Sequence, residues 1–225
     1  MIPTDENPVG EDVSRKYTPI SHIFTKGRFD LLIKVYYKDS NPLFPQGGLM
    51  TQWIDKVEVG SDILIRGPIG RLFYFGNGKF RLGAKKTKPI QWTTKTYKRV
   101  GMLCGGTGIT PLFQILQAAD INRDSIEFSL IFGNRTSKDI LLKNELKTLV
   151  NNKNFNFNLN FTIDKHEEGW EGLTGYIDKQ KILTYMPPAD DHTLIMLCGR
   201  GKMCKKYLTP LLVELGYKIE NIFIF

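Results

Sequence analysis

Two glycine turns carry the strongest chemical signal in the chain. Gly105-Gly106-Thr107-Gly108-Ile109-Thr110-Pro111 follows a short apolar run and opens a segment with helical spacing. Backbone amides at a helix start form an anion site, and glycines let a phosphate come close to the main chain. The turn is not a Walker loop, because no Gly-Lys-Ser/Thr follows, and it lacks the Gly-x-Gly-x-x-Gly spacing of the common dinucleotide fingerprint. Cys198-Gly199-Arg200-Gly201-Lys202-Met203 repeats the arrangement at the end of another strand. Each turn taken alone reads equally well as a tight strand-to-helix connection. Two such turns on one edge of a parallel sheet suit a dinucleotide, since ligands bind where strand ends meet helix starts. A third cluster, Arg15-Lys16-Tyr17-Thr18-Pro19-Ile20-Ser21, offers a forked cation, a flat ring and a short hydroxyl. Taken singly, these are ordinary edge-strand residues. Cys198 by itself reads as a buried structural thiol, with no histidine near it in sequence. His22, His166 and His192 have no ligand spacing, which argues against a metal.

The elements that must position these residues fall into two halves. Phe29 to Tyr37 alternates as a strand does, and Gly47-Gly48 precedes Met50, Trp53, Ile54 and Val57 at helical spacing. Ile63 to Arg66 and Arg71 to Phe75 read as short strands around a Gly67-Pro68-Ile69-Gly70 turn. After Arg99 strands and helices alternate. Strands are predicted at 100–104, 127–132, 155–163, 193–198 and 221–225, and helices at 110–119, behind an N-cap at Ser137, at 177–185 and at 202–215. This alternation predicts a parallel sheet with crossover helices. The fold class is therefore β + α/β, with residues 1–90 as the β domain, 79–99 as connecting segment and 99–225 as the α/β domain.

At 225 residues, with 41% hydrophobic and 24% charged side chains, the chain has the composition of a soluble globule. It contains no apolar run long enough to span a membrane, its N-terminus is too acidic for a signal peptide, and three cysteines without a Cys-x-x-Cys suit a reducing compartment. The net charge of +8 is concentrated. Lys79 to Arg99 holds eight basic residues and no acid, and the remainder balances at 23 against 23. Such a strip attracts an anionic partner or is a solvated connection. Nucleic acid is disfavoured, because few aromatics interleave with the charges and no recognition motif is present.

Taken in order, the motifs stop being ordinary. Arg-x-Tyr-Thr-Pro, Gly-Gly-x-Met-Thr, Gly-Gly-Thr-Gly-Ile-Thr-Pro, Cys-Gly-x-x-x-Met and a terminal Phe resemble the ferredoxin-reductase-like flavoproteins, and among them the NADH–cytochrome b5 reductase family. Ile33 to Asp39, Arg66-Gly67-Pro68, Lys138 to Leu142 and Ile222 to Phe225 support the same likeness, which runs from Arg15 to the last residue.

The resemblance implies an antiparallel flavin-binding barrel followed by a doubly wound NAD-binding domain, with FAD and NADH as cofactors. It implies that Arg15 meets the FAD pyrophosphate, with Lys16 beside it where the family has proline. Tyr17 would lie against the flavin and Thr18 near its N5, while Leu32, Lys34 and Tyr37 match further cofactor contacts. Leu49, Met50 and Thr51 match a helix start that holds the pyrophosphate, and Thr110 matches another FAD contact. Gly106, Thr107, Cys198 and Gly199 would line the nicotinamide cleft with Met203 behind them, and Asp164 matches a position associated with preferring NADH. Thr18, Lys34 and Cys198 are the residues that the likeness places at the chemistry. Hydride would pass from NADH to flavin N5, then single electrons to cytochrome b5 or another acidic haem protein docked on Lys79–Arg99. Only 14 residues precede Arg15, so the reading expects an incomplete, N-terminally truncated barrel with exposed apolar edges. It expects a cytoplasmic protein, with any membrane anchor belonging to a longer form at the endoplasmic reticulum or mitochondrial outer membrane. The alternatives are a non-catalytic nucleotide-binding fragment and the reductase domain of a larger flavohaem enzyme such as nitrate reductase.

Overall fold

The computed structural model describes residues 13–40, 42, 44–84 and 89–225. Helix α1 is Leu49–Lys56. Strands β1 (Leu72–Tyr74), β2 (Lys79–Gly83) and β3 (Trp92–Thr96) pair antiparallel in that order. The second half runs β4 (Arg99–Gly105), α2 (Ile109–Asn122), β5 (Glu127–Asn134), α3 (Lys143–Asn151), β6 (Phe157–Ile163), β7 (Leu173–Thr174), α4 (Lys179–Tyr185), β8 (Thr193–Cys198), α5 (Thr209–Glu214) and β9 (Ile222–Ile224). Its six strands are all parallel in the order β7-β6-β5-β4-β8-β9.

Packing explains the apolar runs. Val100 to Cys104 and Leu194 to Leu197 are buried on both sheet faces, as central parallel strands require. Leu112, Phe113 and Leu116 of α2 and Leu146 of α3 cover one face together with Phe128, Leu130 and Phe132. Ile182 of α4 and Leu212 of α5 cover the other with Leu103, Ile131 and Leu197. Phe80 and Tyr97 join the first cluster, so the antiparallel sheet shares that core. Burying one such large side chain contributes about 1.5–3 kcal/mol.

The first half is different. No described side chain from residue 13 to 75 is buried, and Val59 and Leu64 are fully exposed. The strand expected at Phe29 to Tyr37 is reduced to one bridge, Pro19 to Leu31, with Ile20 N–H donating to Asp30 O at 2.8 Å. The one expected at Ile63 to Arg66 is absent among the described residues. Strand propensity needs a neighbour to form a ladder, and neither segment has one among the described residues.

Three other expectations change. Ser137 does not cap a helix: residues Ser137–Asp139 form a single tight turn, with the Ser137 N–H donating to the Glu167 carboxylate at 3.2 Å. The chain then stays extended to bury Ile140, and α3 begins only after Leu142 in a left-handed conformation, φ 54°. The last predicted helix divides. Lys202–Leu208 is wound wide, as a π-helix, and Thr209 N–H reaches back to Cys204 O. Pro210 has no N–H and would press on the carbonyl four residues back, so the preceding turn opens. Finally, the described part of the Lys79–Arg99 strip forms β2 and β3, strands that the sequence did not predict there, and the start of β4.

Candidate functional site

Strands β4 and β8 lie side by side, yet the chain leaves β4 towards β5 on one side and returns to β8 on the other. This reversal is the topological switch point of an open α/β sheet, where ligands bind beyond the strand ends. Both glycine turns sit there, because Cys104 and Cys198 are register partners. Gly108 allows the close approach. A Cβ on it would stand 2.3 Å from the Cys198 carbonyl oxygen and 2.9 Å from Gly199 N. Met203 packs between the two turns, its sulfur 3.3 Å from the Cβ position of Gly105 and its methyl 2.7 Å from that of Gly199. Gly106, at φ +54°, faces open space. The structure thus brings Gly106, Thr107, Cys198, Gly199 and Met203 together at the carboxyl ends of β4 and β8.

Thr110 is buried at the start of α2, its hydroxyl donating to Thr107 O at 3.2 Å. Burial pushes the Cys198 thiol up to about 12, with the neighbouring Cys204 adding to the rise. Cys198 is therefore a neutral thiol at neutral pH and not a thiolate nucleophile. Asp164 directly follows β6 at the same sheet edge, beyond β5, with an exposed side chain and its N–H on Asn134 O at 3.0 Å.

In the first half, the single Pro19–Leu31 bridge sets the segment that carries Arg15, Lys16, Tyr17 and Thr18 beside the one that carries Leu32 and Lys34. Arg15 and Lys16 are exposed, and one Arg15 nitrogen donates to Ser14 O. Tyr17 and Thr18 are half-buried, as are Leu32 and Lys34; burial raises the Tyr17 phenol, with Arg15 opposing. Tyr37 is exposed and its hydroxyl donates to Asp55 at 2.9 Å. Gly47 packs on the Tyr36 backbone at a left-handed φ of +69°, where a Cβ would lie 2.5 Å from Tyr36 O. That contact sets Leu49, Met50 and Thr51 as the first turn of α1, against Tyr36, whose N–H donates to the Thr51 hydroxyl at 3.2 Å. Gly48 supplies no capping side chain, which leaves the first-turn amides for an anion. Among the described residues no hydrogen bond links Arg15, Tyr17 or Thr18 to the glycine turns.

Two contributors escaped the sequence reading. Asn134, at the end of β5, is 7% exposed, and neither atom of its carboxamide has a hydrogen-bond partner. A buried amide without partners suits a ligand with its own donor and acceptor, and the only sequence signal was a polar residue closing an apolar strand. Asp139 accepts from Lys34 Nζ at 2.7 Å and joins the two halves. Nothing in the sequence pairs residues so far apart.

Two family models match the chain, "Oxidoreductase FAD-binding domain" over residues 2–74 and "Oxidoreductase NAD-binding domain" over residues 102–208. "NADH-cytochrome b5 reductase 2" of Danio rerio is 42% identical over 217 residues, covering 95% of this chain and 69% of that protein. The chain belongs to the NADH–cytochrome b5 reductase family. "NADH-cytochrome b5 reductase 3" of Rattus norvegicus is 41% identical, covering 96% of this chain and 71% of that protein. Among solved structures, the cytochrome b5 reductase domain of Ulva prolifera nitrate reductase matches with a TM-score of 0.86 and 32% identity, over 95% of this chain and 79% of that one. The two halves described above are the family's antiparallel and doubly wound parts, and no helix among the described residues is long and apolar enough to cross a membrane.

Proposed function

We propose that this chain takes reducing equivalents from NADH through FAD and delivers them to cytochrome b5 or a similar haem acceptor. The observation that carries the reading is the pair of glycine turns at the switch point, held together by the missing side chain of Gly108. The residues fit the two nucleotides: the open face of Gly106, the orphaned Asn134 carboxamide and the uncapped start of α1 each offer what a dinucleotide needs. We assign residues up to β3 to FAD and those from β4 onward to NADH.

On the flavin side, Arg15 and the amides of Leu49, Met50 and Thr51 hold the pyrophosphate. Lys16 flanks Arg15, Tyr17 and Thr18 present a ring and a hydroxyl to the flavin, and Leu32, Tyr37 and Thr110 complete its surroundings. On the NADH side, Gly106, Thr107, Cys198 and Gly199 line the nicotinamide, Met203 fixes the spacing of the two turns, and Asp164 accepts from the adenosine ribose and repels a 2′-phosphate. Lys34 stands between the halves. Bound flavin supplies a hydride acceptor that can release electrons one at a time, which suits a haem. The protein need not provide an acid–base pair for that transfer, and Cys198, kept neutral by burial, acts as a lining group.

An acidic haem protein would dock on the Lys79–Arg99 strip through charge attraction. Lys85, Lys86 and Lys88 lie outside the described residues. Among the others, Arg81 stacks on Trp92, Lys95 donates to Asn221 and Arg99 pairs with Asp190. Lys79 and Lys98 are exposed. A second reading, the reductase domain of a larger flavohaem protein, draws on the likeness to the nitrate reductase domain.

The test is an absorption spectrum after FAD addition and gel filtration, repeated anaerobically with NADH. Retained flavin bands that bleach with NADH, followed by reduction of added cytochrome b5, are the expected result. Retained flavin that NADH does not bleach would reject the reductase reading, and no retained flavin would leave a nucleotide-binding fragment.

A further inference from the structure

Lys34 and Asp139 are 105 residues apart in sequence, and they form an ion pair at 2.7 Å between the two halves. The two partners are held very differently. Asp139 closes the tight turn after β5, where its N–H donates to Thr136 O and its second oxygen accepts from the Thr136 hydroxyl at 2.8 Å. Ser137, in the same turn, is fastened to the Glu167 carboxylate, and the next residue, Ile140, is buried in the core. Lys34 instead sits on the segment between Phe29 and Tyr37, which makes one bridge and no ladder. A lysine side chain has about 2 kcal/mol of rotamer freedom to lose. The rigid carboxylate therefore places the mobile ammonium, and not the reverse.

The place matters. Gly133 of β5 is the register partner of Gly105, and the turn bearing Asp139 begins just beyond it. The pair therefore stands beyond the carboxyl end of β5, the strand that ends in Asn134 and lies next to β4. We infer that Asp139 is a positioning residue for dinucleotide binding. It aims the Lys34 ammonium across the mouth of the cleft, towards the anionic or carbonyl groups of the nicotinamide dinucleotide. The inference rests on the NADH reading of the same cleft. Asp139 does not itself touch the dinucleotide; it acts through Lys34, and the affinity of the one half for its ligand depends on a side chain of the other.

The experiment compares Asp139→Asn, Asp139→Glu, Lys34→Met and the double variant Asp139→Asn/Lys34→Met. Asparagine keeps an acceptor for Thr136 and loses the charge that holds Lys34. NAD+ binding by calorimetry and the NADH KM should both weaken about three- to fivefold in Asp139→Asn, the range of partly exposed ion pairs, while kcat stays within twofold. Asp139→Glu should recover part of the loss. The double variant should bind no worse than Lys34→Met alone, because Asp139 has no route to the ligand except through Lys34. Unchanged or tighter NAD+ binding in Asp139→Asn would overturn the inference, and so would additive losses in the double variant. A lower unfolding temperature with unaltered NAD+ affinity would reduce Asp139 to a structural tie. Calorimetry with NAD+ needs no electron transfer, so a wild-type protein that fails to bleach with NADH would reject the reductase reading while leaving this test intact.

Discussion

Replacing Gly108 by alanine should separate the two glycine turns. The residue sits at φ −64°, an ordinary helical value, so alanine meets no backbone strain there. The obstacle is contact. The new Cβ would lie 2.3 Å from Cys198 O, 2.6 Å from Cys198 C and 2.9 Å from Gly199 N, all main-chain atoms of the neighbouring turn. To restore ordinary contact at 3.4 Å, the start of α2 and the end of β8 must move apart by roughly 1.1 Å. Overpacking of that kind costs about 1–3 kcal/mol in stability. A shift of about 1 Å in a binding constellation costs roughly 100-fold in function. Gly201→Ala is the control, since Gly201 is helical at φ −56° with no atom within 4 Å of its Cβ position. It should be neutral or stabilising by up to about 1 kcal/mol. Urea unfolding and calorimetric NAD+ titration read the two effects. If Gly108→Ala matches Gly201→Ala in both stability and NAD+ affinity, the two turns do not hold the dinucleotide in the way proposed.

Alkaline pH should weaken the fold. Burial raises Cys198 from 9.0, and Tyr97 and Tyr217 from 10.0, to about 12 in each case. The unfolded chain therefore loses these protons first. The stability these groups contribute is complete below pH 9 and falls as pH climbs towards 12. Each group contributes a slope of about 1.4 kcal/mol per pH unit in its own window. Urea midpoints should drop between pH 8 and pH 10.5 and drop less in Tyr97→Phe; a flat profile would refute the assignment. Arg71 ties the antiparallel sheet to the last strand, donating to Gly83 O at 3.0 Å and to Ile224 O at 2.9 Å, with its guanidinium 5.1 Å from the Phe223 ring centre. Arg71→Met should cost about 1.5–3 kcal/mol. It should also speed amide exchange selectively in Ile222 to Phe225, and uniform exchange across the sheet would contradict the clamp.

Much of the α/β half was legible because its signals are short-range. Continuous apolar runs marked β4, β5 and β8, since a central parallel strand is buried on both faces. Glycine turns marked their ends, and the order of motifs along the chain disclosed the family. Gly47-Gly48 likewise announced the start of α1. The misplaced elements are those whose conformation depends on a distant neighbour. Phe29 to Tyr37 alternates like a strand, yet a ladder needs a partner, and one bridge to Pro19 does not make one. Ser137 has the chemistry of a cap, but the core takes Ile140 in extended backbone, so α3 starts later. The basic strip shows its charge in sequence and hides its commitments, because Trp92, Asn221 and Asp190 meet Arg81, Lys95 and Arg99 only after folding.

The site divides along the same line. Residue types and local spacing determined the two glycine turns and their place at strand ends, because turn chemistry is decided within a few residues. Tertiary structure alone decided that β4 and β8 are neighbours, that Gly108 abuts Cys198, that Asn134 is buried without a partner, and that Lys34 meets Asp139. These are contacts between residues far apart along the chain. No local pattern encodes them, because they arise from how the sheet and the halves pack.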